Sequence, residues 1–273
     1  MTQSQKADRL RALHQGPEML LLANAWDAAS ARMMEEMGFP AVATSSAAIA
    51  NSLGYADGER ISRAEMLAAV LRIAQAVKVP VTADCEGGYS QGAEGVGETA
   101  RLVVAAGAVG MNLEDSQEDE SRLRPLEDMV ARIRAVRAAG AAAGVSLVIN
   151  ARCDAFFLHG TPPFKPAAEA VRRAQAYRAA GADCIFLPGL RDVALMREFL
   201  AASPGPLNIL GGTATPATSE LRQAGVRRVS LGSGPYRAAL AQVRQIAGEL
   251  RGAGTFTGLT GAVPPPEANG WFR

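Results

Sequence analysis

Residues 99–115 read TARLVVAAGAVGMNLED and contain one complete passage from a helix to a strand. The first half has helical composition, and Gly107 follows it. Glycine just past a helix accepts the left-handed conformation that ends the helix. The apolar run after Gly107 lacks strict alternation, which is typical of a buried parallel strand. We therefore predict a helix, a glycine cap and a buried strand in this order.

The same passage recurs at Gly38, at Gly140 or Gly144, at Gly181 and at Gly225. All apolar runs together give eight predicted strands, at 19–26, 41–46, 79–86, 109–115, 146–154, 184–189, 207–212 and 227–233. Segments of helical composition follow them at 27–38, 60–78, 93–107, 125–143, 165–181, 191–203, 216–224 and 234–251.

Eight consecutive strand–helix units within about 250 residues predict a single-domain (β/α)8 TIM-type barrel. The barrel would span residues 1–252, and the Gly/Pro-rich tail at 253–273 would pack on the barrel or on a neighbouring subunit. An open, doubly wound sheet is the main alternative. The first strand is not followed by the Gly-x-Gly-x-x-Gly pattern that would support it.

The composition excludes several classes of protein. The 273 residues include 28 Lys and Arg against 27 Asp and Glu, which leaves a net charge of +1 and argues against nucleic acid or an anionic membrane as a partner. No apolar run approaches the roughly 18 residues of a membrane span, and the polar N-terminus lacks a signal-peptide core. We expect a cytoplasmic protein whose three cysteines, Cys85, Cys153 and Cys184, are reduced and buried.

Acidic residues gather where the predicted strands end, which is the end of a barrel that carries the active site. They are Asp57 after the second strand, Asp84 and Glu86 on one face of the third, and Glu114 on the fourth. Carboxylates crowded in a poorly hydrated cleft repel one another, and a divalent cation relieves this repulsion. Oxygen donors without paired His or Cys favour Mg²⁺, or Mn²⁺, over Zn²⁺. The alternative is that these acids cap helices or pair with arginines.

Arg152 ends the fifth predicted strand beside these acids. Its planar guanidinium can hold a carboxylate, or an oxyanion that develops next to the metal, at two points. The alternative is a salt bridge to Glu114 or Asp154 that closes the barrel end, and both roles can hold together. The small residues at 45–47 leave backbone N–H groups available to an anion after the second strand.

At these residues the sequence resembles the isocitrate lyase/phosphoenolpyruvate mutase superfamily. The matching stretches are TSSAAIANSLGYADGE (44–59), TADCEGGYS (82–90), NLED (112–115), NARCDAF (150–156) and NILGGTATP (208–216). The resemblance covers nearly the whole chain. It implies a (β/α)8 barrel with an essential Mg²⁺ and a small 2-oxo or 2-hydroxy carboxylate substrate. It also implies a homotetramer, or a dimer, whose last barrel helix at about 234–251 is exchanged between subunits.

The resemblance implies a metal-binding role for four acids. Asp84 corresponds to the acid closest to the metal, and Glu86 stands where the family usually has Asp. Asp57 and Glu114 correspond to the acids that hold the metal's water molecules. Asp57 is also predicted to take part in catalysis.

The resemblance also implies how the substrate is held. Ser45 and the N–H groups of Ser46 and Ala47 correspond to the loop that binds a carboxylate or phosphonate. Arg152 corresponds to the arginine that contacts the substrate and stabilises the enolate, and it is the second predicted catalytic residue. Asn208 remains from the family's segment after the seventh strand and is predicted to bind substrate.

The loop after the fourth strand departs from the family. Residues 116–124 read SQEDESRLR and lack the Cys, Lys and His of the lyases and the Lys-Thr-Asn of the mutases. We therefore expect an Mg²⁺-dependent carbon–carbon lyase that acts through an enolate and yields a 2-oxo acid, other than isocitrate or 2-methylisocitrate lyase. The alternatives are an oxaloacetate-type decarboxylase, a phosphonopyruvate-type C–P bond enzyme and a non-catalytic binder of 2-oxo acids. Arg122, Arg124 and His159 are open candidates for entering the site.

Overall fold

The computed structural model describes residues 1–117, 122–157 and 165–272. Its strands are β1 Leu20–Leu22, β2 Asn24–Ala25, β3 Val42–Thr44, β4 Val81–Asp84, β5 Gly110–Glu114, β6 Val148–Arg152, β7 Cys184–Phe186, β8 Leu207–Leu210 and β9 Arg228–Ser230. Its α-helices are α1 Gln3–Gln15, α2 Ala28–Glu36, α3 Ser46–Ser52, α4 Arg63–Ala76, α5 Ala93–Ala105, α6 Leu126–Ala142, α7 Pro166–Ala180, α8 Val193–Ala202, α9 Thr218–Ala224, α10 Gly234–Gly252 and α11 Pro265–Gly270.

The strands are all parallel and follow one another around a ring in the order β1-β9-β8-β7-β6-β5-β4-β3-β2. At the closing seam, Leu20 of β1 lies opposite Arg228 of β9, and Asn24 of β2 lies opposite Ala43 of β3. Only Ala23 separates β1 from β2, so the two count as one barrel strand. The prediction of a (β/α)8 barrel is therefore confirmed.

Glycines end several helices, as the sequence pattern predicts. Gly181 and Gly225 end α7 and α9 with φ angles of 111° and 95°, in the left-handed region. Of the two candidates near residue 140, Gly144 follows α6 with φ 68°, whereas Gly140 lies inside the helix. A Cβ atom at Gly140 would lie 2.7 Å from the carbonyl oxygen of Val145. Glycine there lets the chain after α6 pack directly against the helix.

Helix α1, which the eight predicted units do not include, closes the amino-terminal end of the barrel. Leu10 reaches the first residue of β5, since a Cβ on Gly110 would lie only 2.8 Å from the Leu10 Cδ2 atom. His14 is also buried, with its Nε2 atom 3.2 Å from Nη1 of the fully buried Arg228. Burial lowers the pKa of His14 to about 4, so the ring is neutral and can accept this hydrogen bond from Arg228.

Two strands end earlier than predicted. Strand β3 ends at Thr44, and α3 begins at Ser46, where the predicted strand still continued. Strand β4 ends at Asp84, and Glu86 has a φ angle of +48°. A residue in the left-handed region cannot continue a strand. The prediction that Asp84 and Glu86 share one strand face is therefore wrong.

The tail packs on the last barrel helix of the same chain. It contains a 3-10 turn at Thr257–Leu259 and the short helix α11. Glu249 of α10 accepts hydrogen bonds from the backbone N–H groups of Thr257 and Gly258 at 2.7 Å each. Within the described ranges, the helices are all too short or too polar to span a bilayer.

A buried polar cluster ties β5 and β6 to α7. Asp115 accepts hydrogen bonds from the Tyr177 hydroxyl at 2.6 Å and from Arg173 Nη1 at 3.2 Å. Its other oxygen accepts the backbone N–H of Asp154 at 2.9 Å, and Asp154 in turn accepts a hydrogen bond from the Ser116 hydroxyl. All five side chains are buried. A polar group that loses its partner in such a cluster is not rehydrated, so each contact is costly to remove.

We predict that Tyr177→Phe lowers the free energy of unfolding by about 1–3 kcal/mol, because it removes a hydrogen bond to the fully buried Asp115 carboxylate. The matched control is Tyr55→Phe, which removes a hydrogen bond of 3.0 Å to the exposed Glu65. Exposed pairs of this kind contribute little, so the control should change stability by less than about 0.5 kcal/mol. Equilibrium urea unfolding measures both, and equal losses would contradict the assigned role of the cluster.

Candidate active site

A cavity of about 210 Å³ opens at the carboxyl-terminal end of the barrel strands. Every barrel strand contributes to its wall, either through a strand residue or through the loop that follows. The predicted site residues on this wall are Ser45, Ser46, Ala47, Asp57, Asp84 and Arg152. Three other predicted residues, Glu86, Glu114 and Asn208, do not line the cavity formed by the described residues.

Asp84 is fixed on the cavity wall by hydrogen bonds to both of its carboxylate oxygens. Oδ2 accepts the backbone N–H of Ser46 at 3.0 Å and the Ser46 hydroxyl at 2.9 Å. Oδ1 accepts Asn112 Nδ2 at 3.1 Å. Ser46 was predicted to donate its N–H to a substrate anion, but in the structure this donor serves Asp84. Ser45 and Ala47, the other residues of the predicted anion-binding loop, also line the cavity but are not hydrogen-bonded to the Asp84 carboxylate.

Arg152 is held between two carboxylates. Its Nη1 atom lies 2.6 Å from Glu114 Oε2, and its Nε atom lies 2.7 Å from Asp154 Oδ1. The β5–β6 pairing places Glu114 directly opposite Arg152. Although burial opposes the charged form, Glu114 and Asp154 raise the pKa of the Arg152 guanidinium. Arg152 makes the predicted salt bridges at the barrel end and also lines the cavity.

Glu114 is part of this ion pair rather than of the cavity wall. Burial raises the pKa of its carboxyl well above the usual range, while Arg152 opposes the shift. Asp154, Asp84 and Glu86 raise the pKa of Glu114 further, because their negative charges are close. The carboxylates of this end of the barrel therefore repel one another, as the sequence predicts.

Glu86 lies beneath the wall, in a backbone turn. Its carboxylate accepts hydrogen bonds from the Tyr89 hydroxyl at 2.7 Å and from the backbone N–H of Glu59 at 2.6 Å. Burial raises the pKa of Glu86 to about 7, and the nearby Asp84 and Asp57 contribute in the same direction. Its left-handed backbone is an uncommon conformation for a residue other than glycine. This turn brings the Glu86 charge close to Asp84 although the two do not share a strand face.

Asn208 lies one layer deeper than predicted. It is fully buried and donates a hydrogen bond from Nδ2 to the Ser230 hydroxyl at 3.1 Å. The strand residue that reaches the cavity is Leu210, two positions later. The prediction identified the correct face of β8 but the wrong depth, so the structure does not place Asn208 against the cavity.

Two asparagines on the wall were not among the predicted site residues. Asn112 links Asp84 to the barrel interior, because its Oδ1 accepts Asn150 Nδ2 at 2.8 Å and lies 3.3 Å from Arg228 Nη2. Asn24 accepts the backbone N–H groups that follow β9 and so fixes the loop there. Asn24 begins β2, and Asn112 lies two residues before the end of β5. The charge pattern that identifies the acids does not extend to these uncharged amides.

The other candidates lie away from the described wall. Arg122 is exposed and Arg124 is buried beneath the turn at Gly87, so neither lines the cavity. His159 and the acidic residues 118–120 fall outside the described residues. The three cysteines, Cys85, Cys153 and Cys184, are unpaired and buried, as predicted. Burial raises the pKa values of their thiols, which suits small apolar side chains rather than nucleophiles.

The wall fits a hydrated divalent cation better than a fully enclosed one. Among the described residues, no three His, Cys, Asp or Glu side chains converge tightly enough to enclose a metal ion. Asp84 and Asp57 both face the cavity, and the charged groups on the described wall that could coordinate a cation are carboxylates. Mg²⁺ characteristically keeps several water molecules and takes one or two protein carboxylates. The donor set is thus of the kind that suits Mg²⁺ or Mn²⁺.

Comparisons with known proteins agree with this geometry. The family model described as phosphoenolpyruvate phosphomutase matches residues 10–251. An oxaloacetate decarboxylase of Bradyrhizobium diazoefficiens is 30% identical over 90% of this chain and 85% of its own length. A 2-methylisocitrate lyase of Bacillus subtilis is 30% identical over 76% of this chain and 67% of its own length.

Among solved structures, 2,3-dimethylmalate lyase matches with a TM-score of 0.83 and 28% identity, over 97% of this chain and 94% of its own. That enzyme is a member of the PEP mutase/isocitrate lyase superfamily. The matched residues include the whole barrel and every strand end that lines the cavity. The chain therefore belongs to the phosphoenolpyruvate phosphomutase family, within the PEP mutase/isocitrate lyase superfamily of lyases and mutases.

Proposed function

We propose that this protein is an Mg²⁺-dependent carbon–carbon lyase. Its substrate would be a small 2-oxo or 2-hydroxy carboxylic acid, and the reaction would pass through an enolate and release a 2-oxo acid. The observation that carries the proposal is the placement of Arg152 and the carboxylates Asp84 and Asp57 on the wall of one small cavity. This arrangement can accommodate a cation and a developing oxyanion side by side.

Asp84 would hold the cation directly, and Asp57, Glu86 and Glu114 would hold its water molecules. The raised pKa values of Glu86 and Glu114 support this assignment, because burial and mutual repulsion leave the site short of positive charge. When bound, a divalent cation polarises a carbonyl oxygen and stabilises the negative charge that develops on it. Asp57 faces the cavity from the loop after α3 and is the proposed candidate for moving a substrate proton.

Arg152 would stabilise the enolate oxygen and orient the substrate. Glu114 and Asp154 fix its Nη1 and Nε atoms, so the guanidinium plane needs no reorganisation when charge develops. The described residues accept no hydrogen bond from its Nη2 atom, which can therefore donate to a ligand. Ser45 and Ala47, at the start of α3, would bind the carboxylate at the other end of the substrate.

We predict that Asp84→Asn abolishes Mn²⁺ binding and lowers turnover at least about 100-fold, because it removes the charge of the direct ligand. Loss of the free Mn²⁺ signal in electron paramagnetic resonance measures binding. NMR of a panel of 2-oxo, 2-hydroxy and tricarboxylic acids measures 2-oxo acid production. Asp8→Asn, at an exposed position of α1, is the matched control and should behave as wild type. Activity that persists with excess chelator would refute the proposed metal dependence.

An oxaloacetate-type decarboxylase is the second candidate. The oxaloacetate decarboxylase relative favours it, and so does the loop after β5, which lacks the Cys, Lys and His of the lyases. Decarboxylation needs only polarisation of the keto oxygen and stabilisation of an enolate, so it can proceed without an acid in that loop. In the same NMR panel, release of CO₂ from oxaloacetate without cleavage of any other acid would favour this candidate over the first.

We also propose that α10 is exchanged between subunits of a dimer or tetramer. The helix is described over its full length, and none of its residues is buried. Leu240, Val243 and Leu250 are 46%, 61% and 55% exposed and lie on one helical face. The tail contacts α10 beside this face, at Ile246 and Glu249. Among the described residues, Leu240, Val243 and Leu250 therefore remain largely uncovered.

The same chain has an apolar groove that fits such a helix. It lies at the outer side of β1 and is lined by Leu13, Met19, Leu21, Met37 and Phe39, among others. Leu21 points outward and is 38% exposed, at a position that barrel helices normally cover. A second copy could supply its α10 to this groove, and each subunit would then complete the barrel of the other.

We predict that Val243→Glu lowers the molecular mass measured by light scattering, because a charge on the apolar face of α10 opposes burial in a partner. Gln245→Glu adds the same charge to an exposed, polar position of the same helix and should leave the mass unchanged. If wild type is a monomer, or if both variants keep its oligomeric mass, the exchange of α10 is wrong.

A further inference from the structure

The cavity has two chemically different sides. The ends of β4, β5 and β6 form a polar side that includes Asp84 and Arg152. The ends of β7 and β8 form an apolar side that consists of Phe186, Pro188 and Leu210. This apolar side belongs to the same wall as the proposed metal and enolate site, so a substituent on a ligand held by Arg152 can lie against it.

The described residues at the ends of β7 and β8 present no charged side chain to the cavity. After β7 the sequence continues as Phe-Leu-Pro-Gly-Leu at 186–190, and at the end of β8 it reads Leu-Gly-Gly at 210–212. A Cβ atom at Gly189 would lie 2.8 Å from the Cβ atom of Phe156, so this position is closed to a larger residue. Both strand ends therefore expose hydrocarbon and backbone to the cavity.

Positive charge is also scarce around the cavity. Arg152 is the one Lys or Arg on the described wall, and Glu114 and Asp154 already pair with it. The segments outside the described residues that follow β5 and β6, 118–121 and 158–164, contain neither Lys nor Arg, and their one His is His159. Among the described residues of the wall, a second carboxylate on a ligand would find no cation other than Arg152.

We infer that the site selects 2-oxo or 2-hydroxy monocarboxylates that carry an uncharged alkyl substituent, in preference to dicarboxylates and tricarboxylates. The inference rests on the carbon–carbon lyase proposed first, in which Arg152, the cation and the start of α3 hold the shared 2-oxo carboxylate end. It argues against the oxaloacetate-type candidate, because oxaloacetate is a dicarboxylate. An alkyl group gains from leaving water against Phe186, Pro188 and Leu210. A carboxylate in the same place loses its hydration and receives no compensating charge.

Isothermal titration of the full-length protein with three acids in the presence of Mg²⁺ tests this inference. Pyruvate carries only the shared 2-oxo carboxylate. The other two acids, 2-oxopentanoate and 2-oxoglutarate, have five carbons each and differ only in ending with a methyl group or a carboxylate. We expect 2-oxopentanoate to bind at least tenfold more tightly than 2-oxoglutarate. Equal or tighter binding of 2-oxoglutarate would overturn the inference alone, whereas failure of all three acids to bind would overturn the proposed function as well.

A substitution on the apolar side gives a second readout. Leu210→Arg places a cation at the end of β8 and should reverse the preference, so that 2-oxoglutarate becomes the tighter ligand. Leu71→Arg adds the same charge at an exposed position of α4 and should keep the wild-type preference. Circular dichroism shows whether both variants are folded. A folded Leu210→Arg protein with an unchanged ratio of the two affinities would contradict the assignment of the substituent to this side.

Discussion

The clamp of Glu114 and Asp154 on Arg152 is the interaction on which the candidate site depends. A guanidinium that is largely removed from water is stabilised when carboxylates compensate its charge. The β5–β6 register supplies one carboxylate by placing Glu114 opposite Arg152. The second carboxylate is that of Asp154, whose backbone N–H donates a hydrogen bond to Asp115. Side chains of α7 in turn donate hydrogen bonds to Asp115. The helix layer of the barrel thus determines where Arg152, the one Lys or Arg on the described wall, points.

The second fixed point is Asp84, whose orientation is set from two directions. Ser46, at the start of α3, donates to one oxygen, and Asn112, on the neighbouring strand, donates to the other. Asn112 is itself in contact with the buried Arg228, which α1 contacts through His14 at the far end of the barrel. A polar column therefore runs from the amino-terminal helix to the proposed metal ligand. Such preorganisation lets a site bind charge without rearranging its own dipoles.

The barrel and the polar side of the site follow from the sequence, because both depend on local patterns. Glycine after a helix and an apolar run after glycine identify each unit, and parallel strands bring their carboxyl ends together. Asp57, Asp84 and Arg152 reach one cavity for this reason. The positions of Glu86 and Asn208 do not follow from these local sequence patterns. The left-handed turn at Glu86 and the depth of Asn208 depend on how neighbouring strands stagger, which periodicity within one strand does not encode.

The central claim is that Asp84 and Arg152 hold a divalent cation and a 2-oxo acid side by side. The most direct measurement is a crystal structure of the protein with Mn²⁺ and pyruvate, in which anomalous scattering locates the ion. The account predicts Mn²⁺ at about 2.1 Å from an Asp84 oxygen, with an oxygen of pyruvate within hydrogen-bonding distance of Arg152. An ion bound elsewhere, or pyruvate held away from Arg152, would contradict it.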